Sequence, residues 1–192
     1  MITSHNNMWQ QIKDCTMTTI NKRTGKMPDS KWKIDLLISE HSPIRRLVIN
    51  WKWSAIKYWV SVHFTRHKYG IEHWVGTQRS DRTGISRDEL TQDTEVPHEF
   101  TANAQAMINI SRKRLCFTAS PETTKAWEEV LLEVKDREPE LYLVCAPECV
   151  YRGGCSQFGE CKFYNGFKVA ANANKVDLSN IRERYEFYKE IR

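Results

Sequence analysis

Four of the six cysteines fall at Cys145, Cys149, Cys155 and Cys161, within the stretch CAPECVYRGGCSQFGEC. The spacing is C-x3-C-x5-C-x5-C, and Gly153, Gly154 and Gly159 between the thiols let the backbone wrap tightly. Thiolates are soft ligands that suit a tetrahedral zinc ion first and an iron–sulfur cluster second. Free thiols or disulfides are the remaining reading, and a reducing compartment disfavours disulfides. Cys15 and Cys116 stand apart and are expected to be small buried hydrophobes.

Histidine, arginine and asparagine recur in two further stretches. His41 precedes a run that holds His63, Arg66, His67 and Lys68, while Asn103, Asn109 and Arg114 lie close together later in the chain. The planar fork of Arg can clamp a phosphate or a pyrimidine carbonyl at two points. Asn offers both a donor and an acceptor to a ring or ribose edge. Each residue also has a plainer role. An Arg at a helix end complements the helix dipole, and His73 and His98 are read as surface or structural residues.

The elements that must position these groups follow from periodicity. Residues 8–20 start helical and end in the β-prone Thr-Thr-Ile, residues 21–30 form a loop, and residues 30–39 return to helical spacing through Trp32, Leu36 and Leu37. Residues 44–53 alternate, with Leu47, Ile49, Trp51 and Trp53 on one face, which predicts a strand. Ser54 is the expected cap of a helix over 55–67, with Trp59, His63 and Arg66 on one stripe. The polar stretch 79–99 predicts a loop. A second helix is expected over 101–114 with Asn103, Met107, Ile110 and Arg114 on one stripe. A third starts at Ser120-Pro121 and buries Trp127, Val130, Leu131 and Val134. Residues 176–191 predict an amphipathic helix through Ile181, Tyr185 and Tyr188.

Bulk properties bound the reading. The 192 residues suit one domain with a small appendix, and 40% hydrophobic with 28% charged residues is ordinary globular composition. Seven tryptophans leave some available for a ligand or subunit surface. The net charge of +5 is spread along the chain and reads first as a solvated surface and second as attraction for phosphate-bearing ligands, while a duplex calls for denser basic clusters. No apolar run approaches a membrane span, and the N-terminus has no signal-peptide core, so a cytoplasmic protein is expected.

Two stretches resemble the flavin-dependent thymidylate synthase family. The first is Glu40-His41 followed by a strand, a helix and Arg66-His67-Lys68, leading into RHKYGIEHWVGTQRSDR; the family has E-H, strand, helix, R-H-R and Ser-x-Arg-Tyr in that order. The second is TANAQAMINISRKRLCFTASPET, where Asn103, Asn109 and Arg114 match the asparagines and arginine of the family's late helix, with Ala119 and Glu122 at matching distance. Together they span roughly residues 32–82 and 100–135. Departures are also plain. Lys68 stands for an Arg, Thr77 and Arg79 take the Ser and Arg places after a one-residue insertion, Ser80 replaces Tyr, Thr118 replaces His, and the middle segment shrinks to residues 80–99.

The resemblance implies an α+β fold, a small antiparallel sheet packed with helices, and the cysteine spacing adds a Cys-rich metal-binding extension to it. It implies residues 1–140 as the main domain and 141–192 as a Cys-rich knuckle with a C-terminal helix. The activity implied is methylation, or other modification, of C5 of a pyrimidine deoxynucleotide such as dUMP. FAD is the cofactor, methylenetetrahydrofolate and NADPH are cosubstrates, and a homotetramer is the assembly. By the same resemblance Thr77 and Arg79 are catalytic; His41, Arg66, His67, Lys68, Asn103 and Asn109 bind cofactor; His63, Arg79 and Arg114 bind substrate. The competing reading is a non-catalytic nucleotide- or nucleic-acid-binding protein on the same scaffold with a structural metal knuckle.

Overall fold

A computed structural model describes residues 8–192. Residues 1–7, where the sequence shows no signal-peptide core, lie outside the described residues. No helix among the described residues is long and apolar enough to cross a membrane.

The N-terminal part runs α1 (Met8–Met17), a 3-10 turn at Thr18–Ile20, α2 (Ser30–Ile38) and a 3-10 turn at Ser42–Arg46. Then come β1 (Val48–Lys57), α3 (Tyr58–Thr65), β2 (Ile71–Val75), the short α4 (Ser80–Thr83) and β3 (Glu95–Asn103). The rest is helical: α5 (Ala104–Arg114), α6 (Pro121–Arg137), α7 (Pro139–Val144), α8 (Glu148–Arg152), α9 (Phe163–Ala173) and α10 (Ile181–Glu190). The three strands form one antiparallel sheet in the order β1-β3-β2. This bears out the α+β class with a small antiparallel sheet.

The core face of the sheet is built in rows. Ile49, Ala102 and Ile71 make one row, Trp51, Phe100 and His73 the next, and Trp53, His98 and Val75 the third. Phe64 of α3 stacks on Trp53 at 4.8 Å between ring centroids, and Trp127 of α6 closes over Phe64 and Phe100. A buried cluster runs continuously from Trp9 to Tyr188. Burial of α6 follows the expected stripe of Trp127, Val130, Leu131 and Val134, behind Ser120 and a Pro at the first helical position. In α10, Tyr185 and Tyr188 are buried as expected.

Four expectations are corrected. The strand over 44–53 begins and ends later, because Pro43 turns residues 42–46 into a 3-10 segment and pairing with β3 carries β1 on to Lys57. Ser54 is therefore inside the strand, and α3 starts at Tyr58 rather than 55. The supposed loop over 79–99 contains the start of the central strand. There the alternation Val96, His98, Phe100, Ala102 fills the core face, and the polar His98 in it hides the period. Pro97 is tolerated in a central strand because it sits where β1 breaks register, between Trp53 and Ile56. Gly76 accompanies it, since a Cβ there would lie 2.6 Å from the Pro97 ring. Finally, the helix expected over 101–114 begins at Ala104, and Asn103 is its cap rather than part of its stripe.

Candidate functional site

The end of α3 meets the end of α5. Arg114, the last residue of α5, donates from Nε to His67 Nε2 at 3.0 Å and from Nη2 to the backbone carbonyl of His63. It thereby caps one carbonyl, that of His63, at the end of α3. His63 pairs through Nδ1 with Thr123 Oγ1 of α6 at 2.8 Å, and its ring stands edge-on to Trp59 at 5.5 Å. Thr124 Oγ1 donates to the Arg114 carbonyl at 2.8 Å and ties α6 to the same junction. Arg66 and Lys68 flank His67 and are exposed. The fold thus brings together His63, Arg66, His67 and Arg114, with Lys68 beside them.

The electrostatics of this junction favour anions. Burial, then the Arg114 guanidinium, pushes His67 down to about 4, and burial followed by Arg114 and Arg66 lowers His63. Both imidazoles are therefore neutral at pH 7. Because Arg114 Nε–H must donate, His67 Nε2 accepts, and the neutral ring carries its proton on Nδ1.

Behind this junction lies a chain of hydrogen bonds that sequence reasoning missed. His73 Nε2 lies 3.0 Å from the carbonyl of His67, His73 Nδ1 lies 2.9 Å from His98 Nε2, and His98 Nδ1 lies 2.9 Å from Ser61 Oγ. A carbonyl only accepts, so His73 donates from Nε2, His98 donates from Nε2 to His73 Nδ1, and Ser61 donates to His98 Nδ1. Burial, then His73, pushes His98 down to about 4. His98 and Ser61 are buried in the core, so the chain fixes α3 and the α3–β2 turn onto the sheet. The signal available was the period-2 run through Val96, His98 and Phe100.

Other expected residues lie apart from the cluster in their bonding. Asn103 Oδ1 accepts from the Ala106 backbone N–H at 2.9 Å as the cap of α5. Its side chain also occupies the space beside Gly70, whose φ of +72° suits glycine. Asn109 is exposed, and its Oδ1 accepts from Arg112 at 3.4 Å. His41 is exposed and opens the 3-10 turn before β1. Its neighbour Glu40 accepts from Arg112 and Gln105. Burial pushes the Glu40 carboxyl up, but those hydrogen bonds prevail and hold it below the ordinary range. Thr77 and Arg79 lie in the exposed turn after β2, where Arg79 grips Asp81 with two hydrogen bonds of 3.0 and 2.7 Å.

The four thiols of the expected metal knuckle are divided between two surroundings. Cys145 is fully buried at the end of α7, where burial pushes its thiol up. Cys149, Cys155 and Cys161 instead line a cavity together with Cys116. Burial, then the neighbouring thiols of Cys116, Cys155 and Cys161, pushes Cys149 up to about 12. Among the described residues no group of three or more His, Cys, Asp or Glu side chains is arranged to hold a metal ion. Cys145 faces the core and so stands apart from the cavity that the other three thiols of the run line.

No family profile and no curated protein matches the chain. Among solved structures, the UMP/dUMP methylase PolB from Streptomyces cacaoi, bound with 5-Br dUMP, is similar with a TM-score of 0.58 at 11% identity. The likeness covers 74% of this chain and 92% of PolB. The fold of this chain, a three-stranded antiparallel sheet packed with helices, resembles that of PolB.

Proposed function

We infer that the chain binds a pyrimidine deoxynucleotide such as dUMP and modifies C5 of its base, most simply by methylation. The observation that carries this is the junction of His63, Arg66, His67 and Arg114, cationic and with neutral imidazoles, on a fold resembling that of a UMP/dUMP methylase. Arg66 and Lys68 offer charge to phosphate. His67 presents its Nδ1–H as a donor, and Arg114 holds that ring in place. His63 is oriented by Thr123 toward the same surface.

FAD, methylenetetrahydrofolate and NADPH belong to this proposal through the family resemblance. The residues fit the phosphate-bearing end of such ligands, because Arg66 and Lys68 are exposed at one helix end. Bound FAD would supply the hydride of a reductive methylation. Thr77, Arg79, His41 and Asn109 are exposed within one chain and fit a site completed by a second copy, in keeping with the implied homotetramer.

The non-catalytic reading has one observation in its favour: Asn103 and Arg79 are satisfied inside the chain, as a helix cap and as a partner of Asp81. Titration calorimetry with dUMP, beside an absorption spectrum of the purified protein, separates the two. Binding together with flavin absorbance supports the enzyme, binding without it supports the scaffold, and absence of dUMP binding overturns the enzyme and the nucleotide-binding form of the scaffold alike.

A further inference from the structure

Cys116 follows α5 and lies far in sequence from the other cysteines, yet it lines the same cavity as Cys149, Cys155 and Cys161. All four are free thiols, each partly accessible, whereas Cys145 is sealed in the core. Cys149 stands on α8, and Cys155 and Cys161 stand on the segment 153–162, which joins α8 to α9 with neither helix nor strand.

That segment is weakly held. Among the described residues, the backbone N–H groups from Cys155 to Lys162 make no hydrogen bond to backbone. Asn165 reaches the Glu160 carboxylate at 3.4 Å, and Phe158 is fully exposed. A ten-residue irregular connection in a small domain usually has something to close on. Here the groups it turns inward with Cys149 and Cys116 are thiols.

We propose that Cys116, Cys149, Cys155 and Cys161 together bind a thiolate-ligated metal centre, with Cys116 in the place that the sequence spacing gives to Cys145. Four thiolates are the full ligand set of a structural zinc ion and equally of an iron–sulfur cluster. The thiols line the cavity without being drawn into ligand geometry, and the irregular segment lets Cys155 and Cys161 close when the metal binds, since thiolate ligation is coupled to local folding. Lys162 and Glu160 both line the cavity, and the Glu148 carboxylate there is paired with Arg152 and with Lys113 at 3.4 Å.

The test uses the full chain, purified anaerobically without chelator, with zinc, iron and acid-labile sulfide measured per chain beside the visible spectrum. The wild type is expected to carry about one zinc, or iron and sulfide in the ratio of one cluster, and this identifies the metal. Cys116→Ser and Cys155→Ser should lose about ten-fold or more of that content, and Cys145→Ala should keep it. Limited proteolysis between residues 153 and 162 should quicken in the Ser variants and on chelation of the wild type, giving a readout independent of yield. A wild type without metal overturns the proposal. So does a Cys116→Ser variant that keeps the wild-type content, or a Cys145→Ala variant that loses it while its circular dichroism is unchanged. None of these outcomes depends on nucleotide binding.

Discussion

At the end of α3, Arg114 is half-buried and gives its donors to His67 and to the His63 carbonyl; in the turn after β2, Arg79 is exposed and folds two donors onto Asp81. Both arginines hold the places that a family resemblance assigns to substrate. The difference lies in what each must join. Arg114 bridges two helices, so packing dictates its direction and leaves it little freedom. Arg79 bridges nothing beyond its own turn, so a local carboxylate holds it and a ligand phosphate or a second copy can take it over. An exposed ion pair of this kind contributes little to stability. The first region is a preorganised wall and the second an adaptable rim.

The sharpest way to break the wall is to remove what stands behind it. His98→Ala leaves Ser61 Oγ and His73 Nδ1 without their partner and opens a void beneath Phe64 and Trp53. A buried truncation that also strands polar groups is expected to cost about 3 kcal/mol. Urea unfolding should show it as a lower midpoint with an unchanged slope. A loss below about 1 kcal/mol would mean that the histidine chain does not hold α3 to the sheet.

Acid should act on the wall in the same direction. His67 and His98 sit at about 4 in the folded chain against an ordinary 6.5. Between those values the unfolded state binds more protons than the folded one, so stability falls as pH drops through that window. Above the ordinary value both states are neutral and these two groups contribute no slope. Denaturant titrations from pH 8 to pH 4 should be level above about 6.5 and decline below it. His98→Ala should flatten part of that decline, and Arg79→Ala should leave it intact.

Arg114→Lys tests the wall more gently. Lysine keeps the charge but loses the fork that reaches His67 and the His63 carbonyl together. Binding of dUMP should weaken by on the order of ten-fold, in line with roughly 1.5–3 kcal/mol for a charged hydrogen bond. Because Arg114 also caps α3, the melting temperature should fall as well, by a few degrees for a loss of about 1 kcal/mol. Weakened binding with no thermal change would mean that Arg114 reaches the ligand directly and does not act through His67.

The sequence was most legible where one face of one element is simply apolar. Trp127, Val130, Leu131 and Val134 announce α6, and Ser120-Pro121 marks its start. It was least legible where a buried position is polar and satisfied from far away. His98 hides β3 because its partners, Ser61 and His73, lie 37 and 25 residues off in the chain. The junction itself was half visible: spacing placed His63 and Arg66 on one stripe and Arg114 on another, but did not show that the two meet or that Arg114 turns toward α3. The pair of Glu40 with Arg112, stacked over Tyr151 at 3.5 Å, had no sequence signal, since its members come from separate elements. Cys116 was set aside as solitary for the same reason, its neighbours being brought to it by α8 and the segment after it.

The smallest expected effect on the folded chain belongs to the rim, and there it is most informative. Arg79 and Asp81 are both more than half exposed, and their pairing closes over two residues of one turn. Removing it with Arg79→Ala should move stability by less than about 0.5 kcal/mol, because solvent screens the pair and ordering two side chains offsets its attraction. If Arg79 serves only that turn, dUMP binding and product formation will match the wild type as well. If it swings from Asp81 to a nucleotide held against the Arg66–His67 surface, product formation will fall at least ten-fold while the unfolding curve stays superimposable. Asp81→Asn refines the result, since it frees Arg79 without removing it and should then preserve or tighten dUMP binding. A variant pair in which Arg79→Ala and Asp81→Asn both leave binding and turnover untouched would detach the turn after β2 from the site and confine function to the junction of α3 with α5.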